Sequence, residues 1–383
     1  MQVETGTAYL AEEGEELCGD SIEIASNEDS KIIVLSDGLG SGVKANILST
    51  LTTRIARGLL ENGISIEEVV DTITQTLPVC QERQLAYSTL SVLQVFNNGQ
   101  AYLIEIDNPP SFYIDNQGNI SQLEMEKHRV GDKEIKEAHF QMSKGDMIML
   151  VSDGVVHAGI GGLLNFGLGW EGICDYLKKY VDKYDNSHQL AQKIIDICKG
   201  YYCSEPGDDT TAVVVKYREE REVTIFTGPP KDKKMDAQVV DKLRTEEADK
   251  KVICGGTTAQ IVARELDKEL EVKLRYYDPD VPPVSKIEGI DLVTEGLLTL
   301  NKTLEKLEET DYPENLPDEK DGATQLTDIL LRSDNIKLLV GRSVNPAHQS
   351  LNLPEDMGIR KQIITNLADT LREKGKEISI EWF

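Results

Sequence analysis

The chain has 383 residues, 39% of them hydrophobic, and a formal net charge of -26. That length allows two domains with separate cores, and no apolar run approaches the roughly 20 residues of a membrane span. The acid excess repels phosphate backbones and anionic bilayers, which argues against nucleic-acid and membrane partners; it serves solubility and leaves divalent cations as possible ligands.

The N-terminus lacks a basic region followed by an apolar one, so no secretory signal is expected. Six scattered cysteines (Cys18, Cys80, Cys174, Cys198, Cys203, Cys254) show neither CxxC pairs nor a paired spacing with histidine. They suit a reducing cytoplasm, and five unclustered histidines give no reason to expect zinc.

In chain order, "SIEIAS" alternates as a strand and "KIIVLS" is a continuous apolar strand that ends in "DGLGSG". Helical spacing follows from Val43 to a stop at Gly63. A second helix opens at Ser65, with Glu68 at the capping-box position. "YSTLSVLQVF", "QAYLIEI" and a hairpin around Asn116 to Gly118 continue as strands. Two more strands are joined at Lys144-Gly145, the second ending in "VSDGVVHAG". Helices at about Gly169 to Tyr184 and Ser187 to Tyr201 precede a final strand in "DDTTAVVVKY". Runs of strands separated from runs of helices predict an α+β domain of two packed antiparallel sheets over residues 1–217.

Beyond Arg218 short strands alternate with helices: "EVTIFTG", "KKVICGG", "EVKLRYY", "GIDLVTEG" and "NIKLLVGR". This pattern predicts an α/β domain with a mostly parallel sheet over residues 218–383, and "EETDYPENLPDEKDGA" is its expected flexible loop. Strand ends in such sheets face ligands. Gly255, Gly256, Thr257, Thr258 and Arg342 are therefore candidate contacts for a small-molecule or anionic ligand, the plain alternative being a glycine-rich turn with ordinary helix capping and a surface-paired arginine.

Four aspartates, Asp20, Asp37, Asp153 and Asp208, each stand at an expected strand end close to a glycine. A single Asp-Gly after a strand is most often a turn. As an ordered set they form an oxygen-only group suited to hard cations such as Mg²⁺ or Mn²⁺.

Together with "GDSIEI", "SDGLGSGVKAN", "YSTLSVLQV", "NPPSFYI", "KGDMIMLVSDGV" and "DDTTAVVVK", this set resembles the metal-dependent PPM (type 2C) protein serine/threonine phosphatases, in their stage II sporulation protein E-like branch. The resemblance covers about residues 15–217 and implies a β-sandwich flanked by helices, with two Mn²⁺ or Mg²⁺ ions at one edge. It implies that Asp37 bridges the ions, with Gly38 (through its carbonyl) and Asp20 on one and Asp153 and Asp208 on the other, and that Asp209 lies just behind. Asp37, Asp153 and Asp208 would be the catalytic carboxylates. A hydroxide shared by the two ions would hydrolyse a phosphoserine or phosphothreonine monoester.

The implied substrate is a phosphorylated regulatory protein in bacterial signalling, such as an anti-sigma-factor antagonist, and a second copy of the chain is a further possible partner. The chain departs from many relatives in having no arginine before the first aspartate, so the phosphate clamp is open. Lys44 is a candidate for that role and His157 for a proton donor, against a solvated lysine and a packed loop histidine. The helix from about Val43 to Asn62, with Arg54 and Arg57, matches a segment that acts as a switch in this branch; core packing explains its apolar face equally well. Two rival readings stay open: a phosphatase of a small phosphoester, and a pseudo-phosphatase that binds without catalysis.

Overall fold

The computed structural model describes residues 1–27, 29–76, 88–130, 133–184, 186–272, 281–318, 320–343 and 355–383. It contains two compact units, Met1–Glu219 and Glu220–Phe383.

In the first unit the chain runs β1 (Gln2–Leu10), β2 (Asp20–Ser26), β3 (Ser30–Asp37), α1 (Gly42–Glu61), α2 (Ile66–Thr76), β4 (Leu90–Phe96) and β5 (Gln100–Ile106). It continues through β6 (Phe112–Ile114), β7 (Ile120–Ser121), β8 (Glu126–Val130), β9 (Lys133–Gln141), β10 (Met147–Val151), α3 (Asp153–His157), α4 (Gly169–Tyr180), α5 (Ser187–Tyr201) and β11 (Thr210–Arg218). One sheet has the order β1-β11-β10-β6-β7 and the other β2-β3-β4-β5-β9-β8, and every pairing within them is antiparallel.

Burial explains how these sheets are layered. The continuous apolar runs of β3, β4 and β10 are buried on both faces, which only a sheet covered on both sides permits. Ile33, Leu35, Leu93, Leu103, Ile148, Leu150, Val213 and Val215 form a core contributed by both sheets. The opposite face of the six-stranded sheet packs Ile32, Val34, Val92 and Ile104 against Ala56 and Leu60 of α1 and Val69 and Val70 of α2. The opposite face of the five-stranded sheet packs Met149, Val151 and Val214 against Ile173, Leu177, Leu190 and Ile194 of α4 and α5. Each fully buried aliphatic side chain in these layers contributes about 1.5–3 kcal/mol relative to exposure. Ser65 accepts from the Glu68 amide at 3.3 Å, as its position before α2 requires.

The hairpin of β8 and β9 was not expected as a unit, because "EKHRV" and "KEIKE" carry charge in place of apolar alternation. It forms an edge of the sheet, where charged side chains discourage pairing with another chain. The two strands joined at Lys144-Gly145 belong to different sheets, so the chain crosses between layers there.

The second unit runs β12 (Glu222–Thr227), α6 (Asp236–Thr245), β13 (Lys250–Cys254), α7 (Gly256–Leu266), β14 (Glu271–Val272), β15 (Ser285–Lys286) and β16 (Leu292–Thr294). After these come α8 (Leu297–Glu309), α9 (Gly322–Arg332), β17 (Asn335–Val340), α10 (Glu355–Glu373) and β18 (Glu377–Trp382). Its sheet order is β14-β15-β16-β13-β12-β17-β18, with β16 through β18 parallel and β14 and β15 antiparallel. Most of "EVKLRYY" lies outside the described residues; β18 was not expected, its half-exposed alternation being weak in apolar content. The polar stretch expected as a loop, residues 308–323, takes in the last residues of α8, a 3-10 turn at Pro313–Asn315 and the first residues of α9, which Asp321 caps by accepting from the amides of Ala323 and Thr324. No helix among the described residues is long and apolar enough to cross a membrane, and the five described cysteines carry no disulfide.

Candidate metal centre

The antiparallel ladder of β2 and β3 sets the first two acids opposite each other, Asp20 against Asp37. Directly paired positions bring Cβ atoms to roughly 4.5–5.5 Å, so two carboxylates there repel unless something lies between them. Beyond Asp37 the chain must turn into α1 at close quarters. A Cβ on Gly38 would sit 2.1 Å from the carbonyl oxygen of Ala45, so only glycine fits. The strand end is further fixed by the Asp37 amide donating to Thr89 Oγ1 at 3.0 Å and by Ser36 Oγ donating to the Thr89 carbonyl at 2.6 Å.

The other pair comes from the second sheet. Asp153 is the first residue of α3, two residues past β10, rather than a strand terminus; Asp208 lies in the turn two residues before β11. Antiparallel pairing of β10 with β11 brings these two ends together. Gly154 is needed here for close packing, since a Cβ would meet the Asp209 carbonyl at 2.2 Å, and its own carbonyl accepts from Tyr202 Oη at 2.8 Å. Oxygen atoms of Asp153 and Asp208 and a ring nitrogen of His157 all lie within 4.8 Å of one another. His157 Nδ1 is 3.6 Å from Asp153 Oδ2.

Asp37, Gly38, Asp153 and Asp208 line one open hollow of about 590 Å³, together with Glu12, Ser88, Thr89 and Asp107. Asp20 lies behind it, buried, and neither of its carboxylate oxygens has a hydrogen-bond partner at normal geometry; the Ser152 and Thr211 hydroxyls stand near enough to favour its charged form only in part. Burial, then the charges of Asp20, Asp153 and Asp208, pushes the Asp37 carboxyl up to about 9. Burial and the same crowding raise Asp20 to about 7 and Asp208 to about 7. No lysine or arginine pairs with these four acids among the described residues, and Lys44 is exposed outside the hollow.

Oxygen donors held this close without a lysine or arginine, with Asp20, Asp37 and Asp208 raised, fit a hard divalent cation, whose charge would reverse those three shifts. Asp209 sits behind them, buried, with one carboxylate oxygen accepting from the Glu12 amide at 3.1 Å and the other unpartnered. Cys18, next to Asp20 and Asp209, is driven far up by burial and their charges, which keeps it a protonated thiol.

Sequence reasoning missed Glu12 and Asp107. Asp107 follows β5 with φ 58°, a left-handed conformation uncommon outside glycine, and the polar "DNPP" after an apolar strand was its only signal. Arg54 and Arg57 of α1 reach Glu23 at 3.4 and 2.9 Å, away from the hollow. In the second unit, Gly255 (φ 127°) occupies the N-cap position of α7 and Thr258 is buried with its hydroxyl unpartnered, while Thr257 provides no side-chain cap. Arg342 lines a different hollow, to which none of Gly255, Gly256, Thr257 and Thr258 contributes.

A family model described as stage II sporulation protein E (SpoIIE) matches residues 27–218, half of the chain. Stage II sporulation protein E of Bacillus subtilis (strain 168) is 25% identical over 159 residues, which cover 40% of this chain and 19% of that protein. The same-named protein of Priestia megaterium is 26% identical over 158 residues, covering 40% and 27%. The chain thus spans less than a third of the length of either relative. A solved structure of the PP2C phosphatase domain and a fragment of the regulatory domain of SpoIIE from Bacillus subtilis aligns with a TM-score of 0.48 at 20% identity, covering 57% of this chain and 62% of that one. By the family model's match, the chain belongs to the stage II sporulation protein E (SpoIIE) family.

Proposed function

We propose that the chain is a metal-dependent phosphatase of phosphoserine and phosphothreonine in a bacterial regulatory protein, with residues 1–217 as the catalytic domain and residues 218–383 as a ligand-binding or regulatory domain. Family membership supports the class of chemistry. The observation that carries the reading is the Asp20 carboxylate, buried opposite Asp37 with both oxygens unpartnered. A buried anion compensated only in part by the Ser152 and Thr211 hydroxyls lowers stability, and a cation is the compensation that its neighbours are built to share.

Two Mn²⁺ or Mg²⁺ ions, when bound, would supply acidification of water and neutralisation of phosphoryl charge. Asp37 is the residue we assign to both ions, Asp20 and the Gly38 carbonyl to one, and Asp153 and Asp208 to the other. Asp209 would keep the segment around Glu12 in place through the amide bond it accepts. His157, exposed beside Asp153 and within reach of Asp208, can hold a proton where a departing seryl oxygen would need one. Among the described residues no lysine or arginine lines the hollow, so none of those side chains offers the phosphate a cation.

The test is hydrolysis of phosphoserine peptides and of p-nitrophenyl phosphate with and without millimolar Mn²⁺, by the chain and by Asp37→Asn. Manganese-dependent release of phosphate from peptide, lost in the variant, is the expected result. Release from small phosphoesters but not peptides would move the substrate to metabolites, and silence on all of them would make the fold a binding module.

A further inference from the structure

We propose that the second unit binds a phosphorylated ligand carrying a flat ring, of the nucleotide class, in the hollow at the carboxyl ends of β12, β17 and β18. The topology singles out this place. Among the parallel strands the order β16-β13-β12-β17-β18 is third, second, first, fourth, fifth in the chain. The chain builds outward from β12 on one side and then returns to build outward on the other. The helices follow suit: α6 and α7 pack on one face with Phe226, Ile253 and Leu339. Helices α8, α9 and α10 pack on the opposite face with Ile225, Val252 and Leu338. The connections leaving β12 and β17 therefore diverge to opposite faces, which in open α/β sheets leaves a crevice beyond the strand ends.

A hollow of about 780 Å³ lies there, lined by Lys231, Asp232, Lys233 and Met235 after β12, Arg342 after β17, and Trp382 and Phe383 at the end of β18. That volume is in the range of small-molecule sites, roughly 300–1,000 Å³. Its charge is opposite to that of the chain as a whole. Lys231, Lys233 and Arg342 have no carboxylate partner among the described residues, and an Asp232 carboxylate oxygen already accepts from the Lys234 amide at 3.0 Å. Several cations elsewhere in this unit are matched: Lys250 with Asp291 at 2.8 Å, Arg264 with Asp236 at 2.6 Å, Lys337 with Glu246 at 2.6 Å and Arg332 with Asp328 at 2.8 Å. In a chain carrying -26, three cations together at a strand-end crevice, with no side-chain carboxylate partner among the described residues, suit an anion.

The aromatic side supplies the second half of the recognition. Trp382, 37% exposed, shares the lining with Phe383, and the Arg342 amide donates to the Phe383 carbonyl at 2.8 Å, which ties the two strand ends together at the hollow. A ligand whose phosphates meet Lys231, Lys233 and Arg342 and whose ring stacks on Trp382 uses both features. Inorganic phosphate uses only one.

The experiment titrates ADP into the full chain in EDTA, which keeps a cation-bridged nucleotide off the acidic hollow of the first unit, and follows tryptophan emission. The chain has two tryptophans, Trp170 and Trp382. A saturable change is expected in the wild type and not in Trp382→Phe. Arg342→Glu and Lys231→Glu should each weaken ADP binding about tenfold, the loss of one charge-assisted contact. Phosphate should compete without changing emission. No saturable change with ADP or GDP at millimolar concentration, equal affinity in the charge-reversed variants, or equal competition by adenosine would each overturn the proposal. If Arg342→Glu melts early, Arg342→Gln across a salt series decides it, because an affinity that does not fall with salt in the wild type, or falls as steeply in the variant, contradicts phosphate contact.

Discussion

Strand β10 has a buried aspartate before its first residue and another aspartate just past its last, and the two ends treat acid in opposite ways. At one end Asp146 is buried and fully satisfied: it accepts from Tyr113 Oη at 2.5 Å, the Ser143 amide at 2.7 Å and the Asn116 amide at 2.8 Å. At the other end Asp153 faces Asp37, Asp208 and the buried, unpartnered Asp20. Folding alone accounts for Asp146, whose hydrogen bonds close a turn. It does not account for Asp20, because burying an acid without partners lowers stability. Carboxylates that stabilise the fold and carboxylates that the fold tolerates for another purpose can thus be told apart by their partners, even at similar burial.

Substitutions should divide along the same line. Asp37→Asn is expected to lower phosphatase activity by at least about a thousandfold, since metal-ion catalysis is worth several kcal/mol and each 1.36 kcal/mol is tenfold. In the metal-free chain at pH 8 the same change should raise the melting temperature, because it removes a carboxyl that the folded chain must hold protonated well above its ordinary range, at a cost in stability; a lower melting temperature would mean that Asp37 serves the fold.

Asp146→Asn should do the reverse, costing about 2 kcal/mol, or roughly 4–8 °C, with manganese affinity unchanged by calorimetry. An altered affinity would erase the distinction between the two ends of β10.

The pH dependence has a defined sign. Asp20, Asp37 and Asp208, raised to about 7, 9 and 7, keep protons in the folded chain that the unfolded chain has already lost near its ordinary carboxylate range. Their contribution is fully present at low pH and is lost as pH rises through 7 to 9. Melting of the metal-free chain should therefore fall across that window, and Mn²⁺ should restore more at pH 9 than at pH 6; a cation effect independent of pH would argue against these carboxylates as its binding groups. Last and smallest, Lys44→Gln should leave stability within about 0.5 kcal/mol and activity nearly unchanged, as for other exposed positions. A large loss of activity would restore Lys44 as a phosphate contact.

Much of this was legible in the sequence because the relevant strands are buried on both faces. Continuous runs such as "IIVL" and "MIMLV" announce themselves, and Ser-Asp-Gly at their ends marks where each run opens to solvent. What the sequence hid is pairing and partners. Nothing in "LCGD" tells that Asp20 lies across from Asp37 or that its oxygens lack donors, since both facts come from the register of β2 on β3. The short helix that begins at Asp153 was masked by the strand before it. The edge strands β8 and β18 lacked the apolar signal because solvent covers part of them. Arg342 was grouped with Gly255 to Thr258 because both follow parallel strands, yet β12 lies between β13 and β17 and Arg342 lines a separate hollow.

Calorimetric titration of Mn²⁺ into the metal-free chain at pH 8 tests the central claim most directly. Two ions bound per chain, with binding lost in Asp37→Asn and proton release on binding, is the predicted result. No binding, or binding that Asp37→Asn leaves intact, would contradict the assignment of this carboxylate cluster to metal.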